Sequence, residues 1–262
     1  MNGARQPAVA GIFYPGVPDE LKNAINGYCE KSEEIKKIPK AVISPHAGYM
    51  YSGVVAAQGY SFLKNNKNLY KKIFIIGPSH RHSFYGIALH SAEKFATPLG
   101  EVPVDQDIKK ELLKYSEVSI EDKAHSAEHS VEVQIPFLQY FLEDFKIIPM
   151  VTGGLKNNEV SKIIKAFWKE KDVFFIVSSD LSHYLKYDET QKKDNETSLF
   201  IENFESEKIT SDRACGAAAI RGLLTGSKEY ASEIKTVKLL NSGDTSGDKK
   251  NVVGYGAYHI YS

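Results

Sequence analysis

The apolar residues of this 262-residue chain fall into two alternating patterns. Short, nearly continuous runs rich in Val, Ile and Phe recur at KAVIS, KKIFIIGPS, GIALHSA, FKIIPMVTG, DVFFIVSSD, TVKLL and VVGYGAYHIY. Runs of this length predict strands covered on both faces. Between them lie amphipathic segments that predict helices over 18–37, 53–65, 106–116, 130–145, 157–170, 189–204 and 214–226. In the first of these, Leu21, Ile25 and Tyr28 share one face at helical spacing, opposite a charged side. Strands alternating with helices predict an α/β fold, a three-layer α/β/α sandwich with a central sheet that is largely parallel or mixed. No linker, repeat or low-complexity segment breaks the alternation, so residues 1–262 are expected to form a single domain. The charge runs EKSEEIKK and TQKKDNE predict solvated helix faces, and NSGDTSGDKKN at 241–251 predicts a surface turn before the last strand.

Composition narrows the function classes. The 33 basic and 33 acidic residues cancel, so no bulk field draws the chain to nucleic acid or to an anionic membrane. The opening MNGARQPAVAGIFYPG lacks the apolar core of a signal peptide, and no run approaches the roughly 20 apolar residues of a membrane span. A cytoplasmic location is therefore expected, with no membrane and no nucleic-acid partner. The two cysteines, Cys29 and Cys215, cannot build a disulfide framework.

The chemistry-bearing residues collect at strand ends. AVIS runs into Pro45 and His46, IFIIGPS into His80, Arg81 and His82, and FFIVSSD ends in Asp180 with His183 three residues on. In a parallel sheet these three C-termini share one edge, where the active sites of open α/β sheets form. His90 and His259 fall inside strand-like runs and read as structural, whereas Asp180 also fits a helix cap and Arg81 an anion-steering or surface role. HSAEH (125–129) matches H-x-x-E-H, the inverted zincin pattern, with His125 and His129 as zinc ligands and Glu128 as general base. That reading needs a helix already formed at His125. Cys215, in DRACGAAAIRGLL, is placed in the first turn of a tightly packed helix, where the dipole favours thiolate; a small buried filler is the alternative. Cys29 has no visible partner and reads as packing.

VAGIFYPG, SPHAGYMYSG, IGPSHRH, EHSVEVQIPFL, SSDLSHY, ACGAAAI and NSGDTSGD…VVGYGAY together resemble the Memo family, in the prokaryotic branch that includes the AmmeMemoRadiSam system protein B. The motifs follow that family's order from residue 8 to the C-terminal end. The resemblance implies a fold like that of the class III extradiol dioxygenases, non-haem iron enzymes that hold Fe(II) on two histidines and a carboxylate. It implies a metal pocket of two histidines and a cysteine, here His46, His80 and Cys215, with Asp180 and His183 lining the same pocket. By analogy with the dioxygenases, His183 and His129 stand where acid/base histidines are expected. Cysteine in place of the carboxylate softens the site, and iron or copper is favoured over zinc.

The expected function is therefore metal-dependent redox or oxygenase-like chemistry on an unidentified small-molecule or peptide substrate, with His183 as acid/base and Asp180 orienting it or sharing its proton. The name of the prokaryotic group implies a pathway shared with a radical-SAM protein. Two alternatives stand beside it. One is a zinc hydrolase using His125, Glu128 and His129; the other is a non-enzymatic adaptor that binds a peptide or ligand in the pocket.

Overall fold

The computed structural model describes residues 3–33, 35–155 and 159–262. A two-residue strand, β1 (Ala4–Arg5), and helix α1 (Pro18–Glu30) precede the first strand of the large sheet, β2 (Ala41–Ser44). Helix α2 (Tyr49–Tyr60) leads to β3 (Lys72–Pro78), then to β4 (Ile87–Leu89), β5 (Lys94–Thr97) and β6 (Gly100–Pro103). Helix α3 (Gln106–Leu112), β7 (Val118–Ile120) and the short helices α4 (Asp122–Ser126) and α5 (Ile135–Phe141) come next. The path continues through β8 (Lys146–Thr152), α6 (Glu159–Phe167), β9 (Val173–Ser178), β10 (His183–Leu185) and α7 (Tyr187–Glu202). It closes with α8 (Ala217–Ser227), β11 (Glu233–Asn241), α9 (Ser242–Ser246) and β12 (Val252–Tyr261).

Four parallel strands, in the order β2-β9-β3-β8, form the middle of a nine-stranded mixed sheet. The rest of it is antiparallel at each junction: β12 pairs with β2, β10 and β11 on one side, and on the other β4 pairs with β8 and carries β7 parallel to itself. Side chains alternate across the central strands. Ile73 and Ile75 of β3 and Phe174 and Ile176 of β9 pack with Leu21 and Ile25 of α1, Ala57 and Tyr60 of α2, and Phe137 of α5. Phe74, Ile76, Phe175 and Val177 point to the other face and meet Ile163 and Phe167 of α6, Ile201 of α7 and Leu223 of α8. Helices thus cover both faces, which is why these strands are continuous in apolar residues and not alternating. Each buried side chain of this size contributes about 1.5–3 kcal/mol relative to exposure. The mixed α/β sandwich expected from the pattern is the fold observed.

Several element boundaries differ from the sequence pattern, each for a local reason. The helix predicted over 130–145 shrinks to α5, preceded by a 3-10 turn at Glu132–Gln134. Pro136 cannot donate into a preceding turn, and Glu132 is drawn inward by an ion pair with Arg5 and by Ala8 N–H at 2.7 Å, Val9 N–H at 3.0 Å and Tyr14 Oη at 2.6 Å. Arg5 also donates to the carbonyls of His125, at 2.7 Å, and Glu128, at 2.8 Å, so residues 5–14 form a strap over the 125–132 segment. The helix predicted over 18–37 stops at Glu30, with Glu34 outside the described residues. The one predicted over 157–170 is seen from Glu159 to Phe167, and Asn157 and Asn158 lie outside the described residues. Helix α2 starts four residues early, at Tyr49, and is buried nearly all round because β11, β12 and α1 enclose it. The 241–251 turn contains α9, whose N-terminus is a capping box between Asn241 and Asp244. The short strands β5, β6, β7 and β10 carry no pattern that periodicity singles out. Cys29 is buried, in keeping with packing.

Among the described residues, no helix is long and apolar enough to cross a membrane.

Two buried histidines outside the sheet edge set an acid limit on stability. His259 Nε2 donates to Gly59 O at 2.7 Å and His125 Nε2 to Ala88 O at 3.0 Å. Burial lowers both to about 4. Above pH 6.5 each is neutral in the folded and unfolded chain alike. Below it the unfolded chain takes up protons that the folded chain refuses, so stability falls with pH and levels off near pH 4. Each should cost about 2 kcal/mol at pH 5 relative to pH 7, by the ordinary histidine value of about 6.5. The urea midpoint of metal-free protein should fall over that range, and His259→Gln should make the fall shallower.

Candidate metal centre

The parallel register brings three loops to one height. Ser44 pairs with Ser178 and Pro78 with Thr152, and β9 joins the two pairs. His46, His80 and Asp180 each lie two residues past the end of their strand, on the same edge of the sheet. Cys215 arrives from the opposite layer. It precedes Gly216, the N-cap of α8, so the thiol sits just outside the helix and not in its first turn. Gly216 is pressed onto the end of β9: its N–H donates to Ser179 Oγ at 2.9 Å, and a β-carbon there would lie 2.7 Å from Ser179 Cβ. This close approach carries Cys215 Sγ to 3.2 Å from His46 Nε2. One ligand atom each from His46, His80 and Cys215 lie within 4.8 Å of one another.

Hydrogen bonding fixes which ring nitrogens are free. Ser178 Oγ donates its one proton to Ser130 O at 2.5 Å and accepts from Gln134 Nε2 at 2.8 Å. Gln134 cannot be turned the other way, because its Nε2 also meets Pro45 O at 2.9 Å while its Oε1 accepts from Tyr60 Oη at 2.7 Å. Ser178 therefore has only acceptor capacity left for His46 Nδ1, 3.0 Å away. His46 is protonated on Nδ1 and presents a bare Nε2 lone pair towards Cys215. Burial, then the neighbouring His80 and His129, hold its pKa well below the ordinary value.

His80 is set in the same way by a carboxylate. Its Nδ1 lies 2.9 Å from Glu128 Oε1, and its backbone N–H donates to Glu128 Oε2 at 2.5 Å. Glu128 Oε1 accepts in addition from His129 N and Ser130 N, each at 2.9 Å. Burial alone would raise this carboxyl, but the His80 hydrogen bonds and the backbone donors outweigh it and hold the pKa at about 2. An ionised Glu128 keeps the proton on His80 Nδ1 and leaves Nε2 as the donor to a metal. A carboxylate behind a ligand histidine is the usual outer support of a metal site. His80, Glu128 and His129 are also close enough together to be read as a ligand set. Three of the four donors fall on Oε1, the oxygen that faces both the His80 and His129 rings, so the His46–His80–Cys215 set fits a metal better.

The remaining predicted residues surround that set. A cavity of about 620 Å³ is lined by His46, His80, His129, Asp180, His183 and Cys215, among others. His129 stacks on His80 with ring centroids 4.6 Å apart, and burial lowers its pKa to about 4. His183 Nδ1 donates to Leu181 O at 2.8 Å, since a carbonyl can only accept, and its Nε2 is thereby the basic atom. Asp180 neither caps a helix nor orients His183. Its Oδ1 accepts from the backbone N–H of His46 at 2.7 Å and of Ala47 at 3.3 Å, tying the His46 loop to β9. Burial raises its pKa to about 6 against those two bonds. Burial and the nearby Asp180 push the Cys215 thiol up to about 12, the reverse of the thiolate expected from a helix N-terminus. With His46 Nε2 bare, the thiol proton points at the nitrogen it faces.

The inverted zincin reading fails on local structure. Helix α4 ends at Ser126, before Glu128 and His129, and the buried His125 ring is committed to Ala88 O. His125 and His129 therefore share no helical face. Sequence reasoning missed Ser178, the polar residue on which an apolar run ends, and Gln134, which stands between Val133 and Ile135. It also missed Tyr184, which lines the cavity beside His183 with a left-handed backbone, φ 57°.

Fold and pocket thus define an α/β sandwich with a two-histidine, one-cysteine site at its sheet edge. The Memo-like protein family model matches residues 5–259, and the chain belongs to that family. It is 39% identical to a MEMO1 family protein of Sulfurisphaera tokodaii, over 96% of this chain and 97% of that one. It is 36% identical to a MEMO1 family protein of Aquifex aeolicus, with the same coverage of both. Among solved structures, an uncharacterized protein JW3007 from Escherichia coli K12 shares the fold, with a TM-score of 0.56 at 11% identity over 85% of this chain and the whole of that one.

Glu128→Gln keeps the shape of the carboxylate but not its charge. Metal affinity, read by chelator competition, should fall by about 10–100-fold, while His125→Gln should leave it unchanged.

Proposed function

We propose that this protein is a metal-dependent redox enzyme with oxygenase-like chemistry, its ion held by His46, His80 and Cys215. The observation that carries this reading is the pair of bare Nε2 lone pairs beside the Cys215 thiol, each backed by a partner that can only accept a proton from the other ring nitrogen. Two imidazoles and a thiolate form a soft, three-donor set, which suits iron or copper and leaves coordination positions open towards the cavity. A bound ion of that kind would supply one-electron exchange and a Lewis-acidic anchor for substrate.

The chain's own groups would then handle protons and position. Holding a metal would require the Cys215 thiol proton to leave to solvent, because His46 Nε2 would itself be a ligand. His183 Nε2, basic and directed by Leu181 O, would accept a substrate proton. His129, kept neutral by burial, would line the path between His80 and Phe13 and serve as a second proton carrier. Asp180 would hold the His46 loop in place. Zinc hydrolysis through His125 lacks the helical face it needs, because α4 ends at Ser126 and the His125 ring bonds Ala88 O.

Metal content by mass spectrometry on anaerobically purified, tag-free protein tests the reading. Near-stoichiometric iron or copper is expected in the wild type and a loss of most of it in His46→Ala, His80→Ala and Cys215→Ala. Zinc retained in Cys215→Ala, or no metal bound by folded protein after resupply, would count against it.

A further inference from the structure

The cavity over the metal site has a second lobe. It has a volume of about 430 Å³, is lined in part by 78–84 and 152–154, and shares His80, Arg81 and Cys215 with the first. The candidate metal ligands His80 and Cys215 thus stand at the junction of two chambers, and a molecule filling both would lie across them.

The charges in the two lobes are unequal. Among the described residues, the second lobe has no Asp or Glu in its lining, and Arg81 is its one permanent charge. In the first lobe Lys193 is already paired with Asp212, at 2.5 Å. Arg81 is exposed and makes no ion pair among the described residues. The loop beneath it is held firmly. Ser79 N–H donates to Thr152 O at 2.9 Å, Ser79 Oγ to His82 O at 2.6 Å, and His80 N–H to Glu128 at 2.5 Å. A fixed loop therefore carries an unpaired guanidinium at the border of the two chambers, beside one whose described lining holds no anion. The planar fork of arginine matches a carboxylate with two parallel hydrogen bonds. A phosphate dianion would find one cation for two charges here, since the N–H groups of Gly153 and Gly154 are spent on Gly86 O and Phe84 O.

We propose that the substrate carries a single carboxylate, gripped by Arg81 in the second lobe, while the rest of the molecule crosses His80 and Cys215 into the chamber of His129 and His183. This assignment rests on the metal-pocket reading for its catalytic meaning, but the binding step does not need the ion.

Benzoate and its uncharged counterpart benzamide serve as probes, with binding to wild type and Arg81→Gln measured by ligand-observed NMR on metal-free and metal-loaded protein. Benzoate should bind the wild type in both states, and Arg81→Gln should weaken it by about tenfold or more, the scale of a charge-assisted pair. Benzamide binding should be the same in both proteins, and so should metal content. Equal benzoate affinity in wild type and variant, or no benzoate binding by the wild type at millimolar concentration, would overturn the proposal. Should neither protein hold metal, the metal reading fails while the benzoate comparison still decides the role of Arg81.

Discussion

In a parallel pair, neighbouring strands run the same way, so residues paired at one level leave the sheet at one level. The pairing of Ser44 with Ser178 and of Ile76 with Val177 fixes the heights at which the chain turns out of β2, β9 and β3. His46, Asp180 and His80 inherit their spacing from that register. A slip of one residue in any of these strands would turn its core side chains to the wrong face. The apolar layers on the two sides of the sheet therefore hold the site together as surely as any contact within it.

The partners of His46 and His80 come from a different kind of structure. Residues 128–134 are neither strand nor regular α-helix, and this irregular path lets Glu128, Ser130 and Gln134 all face the sheet edge. Glu128 works by charge and Ser178 by saturation, since the serine has already used its only proton. Both leave the outward nitrogen of an imidazole bare. Burial keeps the Cys215 thiol protonated, and Glu128 is the carboxylate that backs a ring nitrogen of the candidate set. A cation held by this set would have to displace the Cys215 proton, so the burial that raises the thiol pKa would make its binding stronger as pH rises.

The layered fold was readable because its central strands are apolar on both faces, a pattern that helices on either side require. His46, His80, Asp180 and His183 were readable as a group because each follows such a strand. Their hydrogen-bond partners were not. Ser178 looks like any polar residue where a strand ends, and Gln134 and Glu132 look like the polar face of a helix that Pro136 and the pull of residues 5–14 prevent from forming. HSAEH shows the same limit from the other side. Its spacing suits a helix, but α4 ends inside the motif and sends His125 and His129 to different places. Asp180 was found at the right edge with the wrong partner, because a backbone N–H from residue 46 leaves no mark in the sequence near residue 180.

The strap formed by residues 5–14 ties the start of the described chain to this arrangement. Arg5 holds the carbonyl of Glu128, whose side chain in turn holds His80, and Glu132 holds the backbone of Ala8 and Val9. A ligand that steadies His80 therefore steadies the strap, and whatever steadies the strap favours that ligand by the same free energy, because coupling between two sites is reciprocal. His80 and the amino-terminal segment meet in one residue, Glu128, and removing the segment would leave its carbonyl without the guanidinium that holds it.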